Sequence, residues 1–316
     1  MTAVVYHVET HRDPRQVERL VATINRWAPE SLIVINHDER AEPLNEAALR
    51  KLGAVVQYGL GGYSDFSHPR RWLQTVDWLT RNRVEYDWLS NLSGQDYPIR
   101  PLSRVHDELA ASGADAFLET FDVFDPEQTP WGMARGTTRY RFRHRRLGGL
   151  SHGQKVMLRP VQVVNRVQPW YRLTSATGLT LGRRVPAPWG DGMRLLGGSF
   201  FTTLRRPAVE HVRAFVDEQP EVMAFLAGAL APAEVFFQTA LGQQDGADLT
   251  IVNDCRRYFD FSRTRFNSPK TLGLADLPSM MASGKDFARK FDLASEPDAL
   301  DAVDQHLERA VADAVG

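Results

Sequence analysis

Five short stretches hold the side chains that could do chemistry. In APAEVFFQTAL (231–241), Pro232 opens an expected helix and places Glu234 in its first turn. A carboxylate held on a rigid element can act as a general base, and it can equally serve as a plain helix cap. NLSGQDYPIR (91–100) follows a strand-like run, and its Gly94 and Pro98 make a turn that presents Asp96 just past the strand end. The same aspartate could do no more than bond its own turn. His37 and Asp38 close SLIVINHD, at a strand end where a carboxylate can either accept hydrogen bonds from a ribose or base or cap a turn. GKDFARKFD (284–292) sets Lys285, Arg289 and Lys290 beside two phenylalanines, a group that suits a phosphate as well as a solvated face. RGTTRYRFRHRR (135–146) alternates cations with Tyr140 and Phe142, as nucleic-acid grooves, basic strands and loops over anionic ligands all do.

These residues need a scaffold. AVVYHVE (3–9), SLIVINHD (31–38) and AVVQYG (54–59) read as nearly continuous apolar strands. Helical spacing separates them, first through Val17, Leu20, Val21, Ile24 and Trp27, then through EPLNEAALRKLG, closed by Gly53. A βαβαβ start of this kind predicts a parallel sheet covered on both faces, with ligands gathered at the strand C-terminal ends. SHPRRWLQTVDWL predicts a helix capped by Ser67, and EYDWLSNL a strand that runs into the Asp96 turn. Residues 126–195 are rich in Arg, Gly, Pro and Trp with weak periodicity and two expected hairpins; beyond them helices are expected over 207–228, 232–242 and 297–314, with one strand at LTIVNDCRRYFDF.

At 316 residues, 43% hydrophobic and 24% charged, the chain can bury a large core as a globular α/β protein. A formal net charge of −1 gives no global attraction to nucleic acid, which is not expected as a partner. Cys255 is the single cysteine, so no intrachain disulfide can form. No apolar run approaches the ~20 residues that span a bilayer, and a cytoplasmic location is the expectation. No two aspartates stand as Asp-X-Asp, the spacing that often holds a divalent cation against a sugar nucleotide's diphosphate. Fixed cations such as those of residues 284–292 would have to take that role.

Taken in order, WLSNLSGQDYPI, GGSFFTTLRRPAVEHV, APAEVFFQTAL and FARKFD resemble the core-2/I-branching N-acetylglucosaminyltransferase and peptide O-xylosyltransferase family, glycosyltransferase family 14. VVYHVETHRDPRQVERLV and IVINHDE look like that family's opening strand, helix and strand. The resemblance implies a modified GT-A fold with a Rossmann-like, mostly parallel sheet, its nucleotide-sugar half at 1–125 running into an acceptor half at 126–316. It also implies inverting transfer of GlcNAc or xylose from a UDP-sugar to an acceptor hydroxyl, with no cofactor and no metal. By the same likeness Glu234 is the catalytic base. Asp38, His37, Asp96, Arg289 and Lys290 belong to the donor site, and Ser199, Phe200, Trp189 and Asp191 to the acceptor side. The chain departs from the family where branching enzymes carry an upstream arginine and this sequence has Asn267, with Arg265 and Lys270 as substitutes. Phe200 also follows Ser199 where xylosyltransferase-like members carry an aspartate. The rival reading is a non-catalytic carbohydrate- or nucleotide-binding protein on the same fold.

Overall fold

The computed structural model describes residues 2–148, 151–157, 163–175, 179–188, 192–243, 248–262 and 268–315. Four parallel strands begin the central sheet: β1 (Val4–Thr10), β2 (Leu32–Asp38), β3 (Val55–Gly59) and β4 (Trp88–Ser93), in the order 3-2-1-4. Beyond β4 the sheet continues through β12 (Thr202–Arg205), β6 (Ala116–Leu118) and β13 (Ile251–Asn253). Only β12 runs against its neighbours, so the seven-stranded sheet is mostly parallel and the fold is GT-A-like.

Alternation along β1 explains the layers. Val4, Tyr6 and Val8 share one core with Leu20 of α1 (Pro14–Trp27), Val105 of α4 (Leu102–Ala111) and Leu300 of α12 (Pro297–Val315). Val5 joins the other core with Trp72 of α3 (Ser67–Arg81), Val209 of α8 (Arg206–Glu218) and Phe237 of α10 (Phe236–Gly242). Strands buried on both faces must be apolar along most of their length, as the sequence indicates.

Three smaller sheets edge this body. β5 (Asp96–Pro98), β14 (Arg257–Phe259) and β15 (Phe287–Arg289) form one, and β7 (Phe121–Asp122) pairs with β11 (Leu196–Gly197). The third joins β8 (Phe142–Gly148), β9 (Tyr171–Thr174) and β10 (Leu179–Arg184), preceded by α5 (Met133–Tyr140). The short helices α2 (Glu46–Lys51), α6 (His152–Met157), α7 (Val164–Val167), α9 (Pro220–Leu226) and α11 (Leu277–Ala282) complete the elements.

The structure corrects several expectations about elements. Ser67 does not cap α3; it is the helix's first residue, and its backbone N–H donates to Asp65 Oδ1 at 3.0 Å. The single helix expected over 232–242 is a 3-10 turn, Pro232–Glu234, followed by α10, with Val235 at φ −134° breaking the two apart. Glu234 therefore stands before α10 rather than in its first turn. LTIVNDCRRYFDF divides into β13 and β14 in different sheets, parted at Arg256, whose φ is 56°. Local spacing could show the apolar runs but not a break made by one residue's backbone.

Trp72 is fully buried, with its ring 4.9 Å from Phe237 and 6.2 Å from Phe236, so it braces the helix that follows Glu234. Trp72→Ala should cost about 3–5 kcal/mol of stability, read as a shift in urea midpoint. A loss below about 1 kcal/mol would show that this packing does not support α10.

Candidate active site

A cleft of about 510 Å³ opens at the C-terminal ends of β1 and β4, where the parallel sheet was expected to gather a ligand. Its lining combines Glu9 and Thr10 from β1, Ser93 at the end of β4 with Gly94 and Gln95 after it, His68 and Arg71 from α3, Arg135 and Arg139 from α5, and Phe200, Glu234 and Arg289.

The floor is a buried charge cluster. Glu9 sits beside His68 Nδ1 at 2.5 Å and His7 Nε2 at 3.3 Å, and it forms an ion pair with the buried Arg71. Arg71 also donates to the carbonyls of Thr10 and Asn36, both at 3.3 Å. Burial pushes the Glu9 carboxyl up, but His68, His7 and Arg71 together outweigh it and hold the group well below the ordinary carboxylate range.

Glu234 is placed by its backbone. Ala231 adopts φ 51°, and its carbonyl accepts from Glu234 N–H at 3.1 Å and from the Tyr140 hydroxyl at 2.9 Å. The Glu234 carbonyl in turn accepts from Gly198 N–H at 2.8 Å. A Cβ on Gly198 would stand 1.9 Å from the Glu119 carbonyl oxygen, so that approach requires glycine. The half-buried Glu234 carboxylate lies 2.5 Å from Arg139, whose guanidinium stacks 5.0 Å from the Trp131 ring centroid. Burial works against the Arg139 cation, and the adjoining Glu234 charge overcomes it and raises its pKa.

Across the cleft, Arg289 donates to Ser93 Oγ at 2.6 Å and to Asp96 Oδ1 at 3.1 Å, and it stacks 4.6 Å from the Phe201 ring centroid. Asp96 is fully buried and accepts the Ser93 N–H at 2.5 Å, so it holds Arg289 and the turn without reaching the lining itself. Burial raises the Asp96 pKa despite the opposing charge of Arg289. Lys290 is half-buried outside the lining, with Nζ 3.3 Å from Ser268 Oγ; burial and then Arg289 and Arg12 lower its pKa.

The remaining sequence-derived site residues spread out. Asp38 ends β2 beyond the cleft lining. Partial burial raises its carboxyl, while hydrogen bonds from Arg40 and the Gly61 N–H outweigh this and bring it to about 2. A Cβ on Gly61 would stand 2.3 Å from Asp38 Oδ2. Both ring nitrogens of His37 are committed, to Thr10 Oγ1 at 2.6 Å and the Glu42 carbonyl at 2.9 Å. Lys270 pairs with Asp260 at 2.9 Å and Asp276 at 2.6 Å, outside the cleft. Phe200 lines the cleft with its ring 5.2 Å from His68, and the Ser199 carbonyl accepts from Gln238 Nε2 at 2.7 Å. Arg265, Asn267, Trp189 and Asp191 lie outside the described residues. Among the described residues no group of three His, Cys, Asp or Glu side chains is arranged to hold a metal ion.

Sequence reasoning missed Glu9, His68, Arg71 and Arg139. HVETHR did carry a signal for the first: polar residues closing an otherwise apolar strand at the end where ligands bind. Arg139 stood in the cation run of 135–146, with nothing to single it out.

A family profile for the core-2/I-branching enzymes matches residues 71–281. The chain belongs to the core-2/I-branching enzyme family. It is 24% identical over 230 residues to the beta-glucuronosyltransferase GlcAT14A of Arabidopsis thaliana, a match covering 72% of this chain and 44% of that protein. It is 26% identical over 236 residues to the xylosyltransferase oxt of Drosophila pseudoobscura pseudoobscura, covering 72% of this chain and 22% of that one. This chain's matches therefore span less than half of either relative. A cytidylyltransferase structure from Leptospira borgpetersenii aligns over 38% of this chain and 54% of that one, with 14% identity and a TM-score of 0.27. No helix among the described residues of this family member is long and apolar enough to cross a membrane.

Glu9→Gln keeps the shape of the side chain and removes its charge, leaving Arg71 buried without a counter-ion. The variant should lose about 3–5 kcal/mol of stability. Because the folded-state pKa of Glu9 is depressed, its contribution is complete above the unfolded carboxyl value of about 4.3 and is lost as pH falls below it. The gap between wild type and variant in denaturant titrations should accordingly shrink on acidification. A pH-independent gap would show that the charge is not the source of the loss.

Proposed function

We propose that this chain is an inverting glycosyltransferase that moves GlcNAc or xylose from a UDP-sugar to an acceptor hydroxyl without a bound metal. The observation that carries the reading is that one cleft is lined by both Glu234 and Arg289, a carboxylate and a fixed cation. Glu234 takes the proton of the acceptor hydroxyl as its oxygen attacks the anomeric carbon, and the bond to UDP breaks on the opposite face. Charge grows on the departing diphosphate, where Arg289, with Lys290 beside it, supplies the stabilisation that a metal ion otherwise would. Asp38 accepts hydrogen bonds from the uridine. Ser199, Phe200, Trp189 and Asp191 serve the acceptor, residues 1–125 forming the donor half and 126–316 the acceptor half. The single buried cysteine, Cys255, supports a reducing, cytoplasmic setting.

A second reading concerns the donor alone. Arg12, Arg71, Arg135, Arg139 and Arg289 all line the cleft, and although Asp292, Glu9, Glu234 and Asp96 pair with four of them, five guanidinium groups in one cleft suit a donor with a further negative charge on its sugar. The glucuronosyltransferase among the relatives makes UDP-glucuronate the specific alternative. A turnover screen over UDP-GlcNAc, UDP-xylose and UDP-glucuronate separates the two, and binding without turnover across an acceptor panel would support a non-catalytic binder.

Glu234→Gln should lower transfer about a hundredfold or more with UDP affinity nearly unchanged. Arg139→Ala should also lower turnover, by misplacing the base, while UDP affinity again holds. Transfer near the wild-type rate in Glu234→Gln would remove the base assignment.

The metal-free reading is tested separately. Activity should survive excess EDTA. Arg289→Ala and Lys290→Ala should each reduce turnover more than they weaken uridine binding, because the charge they meet lies on the phosphates and grows as the bond to the sugar breaks. Activity lost to EDTA and restored by manganese would overturn this part.

A further inference from the structure

The near-neutral net charge conceals a strong segregation. Between Glu127 and Asp191 the chain carries twelve arginines and lysines and no carboxylate, so a net −1 overall leaves −13 for the remainder. The three-stranded sheet β8-β10-β9 lies within this stretch. Its register places Arg143 directly opposite Arg183, Arg183 opposite Tyr171, Arg145 opposite Leu181, and Leu181 opposite Leu173, so these six side chains share one face.

That face is turned to solvent. Arg143, Arg145 and Arg183 are exposed, and among the described residues no carboxylate pairs with any of them. Between and beside them Leu181 is 39% exposed, Tyr171 49% and Leu147 54%, and Trp170, next to Tyr171 in the chain, is 64% exposed. Met157, Val163 and Val167, from the short segments joining β8 to β9, are more than half exposed as well. Like charges directly opposite on a sheet destabilise it, and large apolar groups exposed between them cost hydration, so the Arg143–Arg183 pairing with Leu181 and Tyr171 beside it puts two unfavourable features on one face. An anionic partner relieves the first and a hydrocarbon boundary the second.

We propose that this face docks onto an anionic phospholipid bilayer. Arginines meet the negative headgroups while leucine, valine and aromatic side chains enter the headgroup–acyl boundary, the combination that holds peripheral proteins at membranes. A nucleic acid would satisfy the arginines and leave the aliphatic groups in water. β8 begins at Phe142, just after α5 ends and three residues from Arg139, so docking holds the mouth of the cleft near the bilayer surface. Arg146, on the other face of β8, instead acts electrostatically on Asp65 of the cleft lining.

The test is co-sedimentation of the full chain with vesicles of phosphatidylcholine alone, and with vesicles containing about a third phosphatidylglycerol. The protein should pellet with the mixed vesicles and not with phosphatidylcholine, and salt at about 0.5 M should release it. Arg145→Gln and Arg183→Gln should each lower the partition coefficient about fivefold. A separate variant, Leu147→Ser with Leu181→Ser, should lower it at least about fivefold at unchanged charge. Turnover on a small acceptor in free solution should stay at the wild-type value in all of them, and melting temperature should not fall, rising slightly in Arg183→Gln as the like-charge pair is removed. No association with mixed vesicles overturns the proposal, as does vesicle binding that the leucine variant leaves untouched. Tight, salt-sensitive binding of a single-stranded oligonucleotide in place of vesicles also overturns it and assigns the face to nucleic acid.

Discussion

A carboxylate at the end of β1 has to remain charged where water does not reach it, and the cleft is built around that requirement. Glu9 is buried among His7, His68 and Arg71, and Arg71 reaches back to the Thr10 and Asn36 carbonyls at the ends of β1 and β2. One ion pair therefore ties two strands to α3, and the same carboxylate holds His68, whose ring lies 5.2 Å from Phe200. Removing either partner would strand the other in low dielectric, so neither can change alone. The registration of strand ends to helix that the cleft needs is thus coupled to the stability of the whole chain.

Glu234 is held by a different means. No helix terminus stabilises it; the 3-10 turn, the left-handed Ala231 and the Gly198 N–H set its position, and Arg139 orients its carboxylate. The arginine is itself constrained, packed on Trp131 and beside the buried Tyr140. A carboxylate oriented by backbone geometry and one rigid cation loses little freedom when a hydroxyl arrives, which is the condition under which a general base is effective.

The sequence made the sheet and its two cores legible because apolar strands and helical spacing are local patterns. Asp96 and Arg289 were singled out by a turn, a cation cluster and the family resemblance, but their contact joins residues 193 positions apart and no local pattern encodes it. Arg139 was hidden for the opposite reason, being one cation among many in 135–146. His37 illustrates the limit of position as a guide: a strand end does place a side chain near a ligand, yet both its nitrogens are used by neighbours. Breaks at Val235 and Arg256 depend on single backbone torsions, which composition does not reveal.

The turn that carries SGQD has a double consequence for the cleft. Asp96 is buried and spends its charge on Arg289 and the Ser93 N–H, leaving it in no position to meet a diphosphate directly. That same contact anchors Arg289, which is further fixed by Ser93 Oγ and the Phe201 ring. A cation restrained at three points needs no reorganisation as charge develops beside it, whereas a flexible lysine must lose conformational freedom at that moment. Lys290, with its single long contact to Ser268, keeps that freedom. Under the proposed reaction Arg289 is accordingly the better suited of the two neighbours to charge that grows on a departing diphosphate, and Lys290 would meet that charge only by giving up conformational freedom.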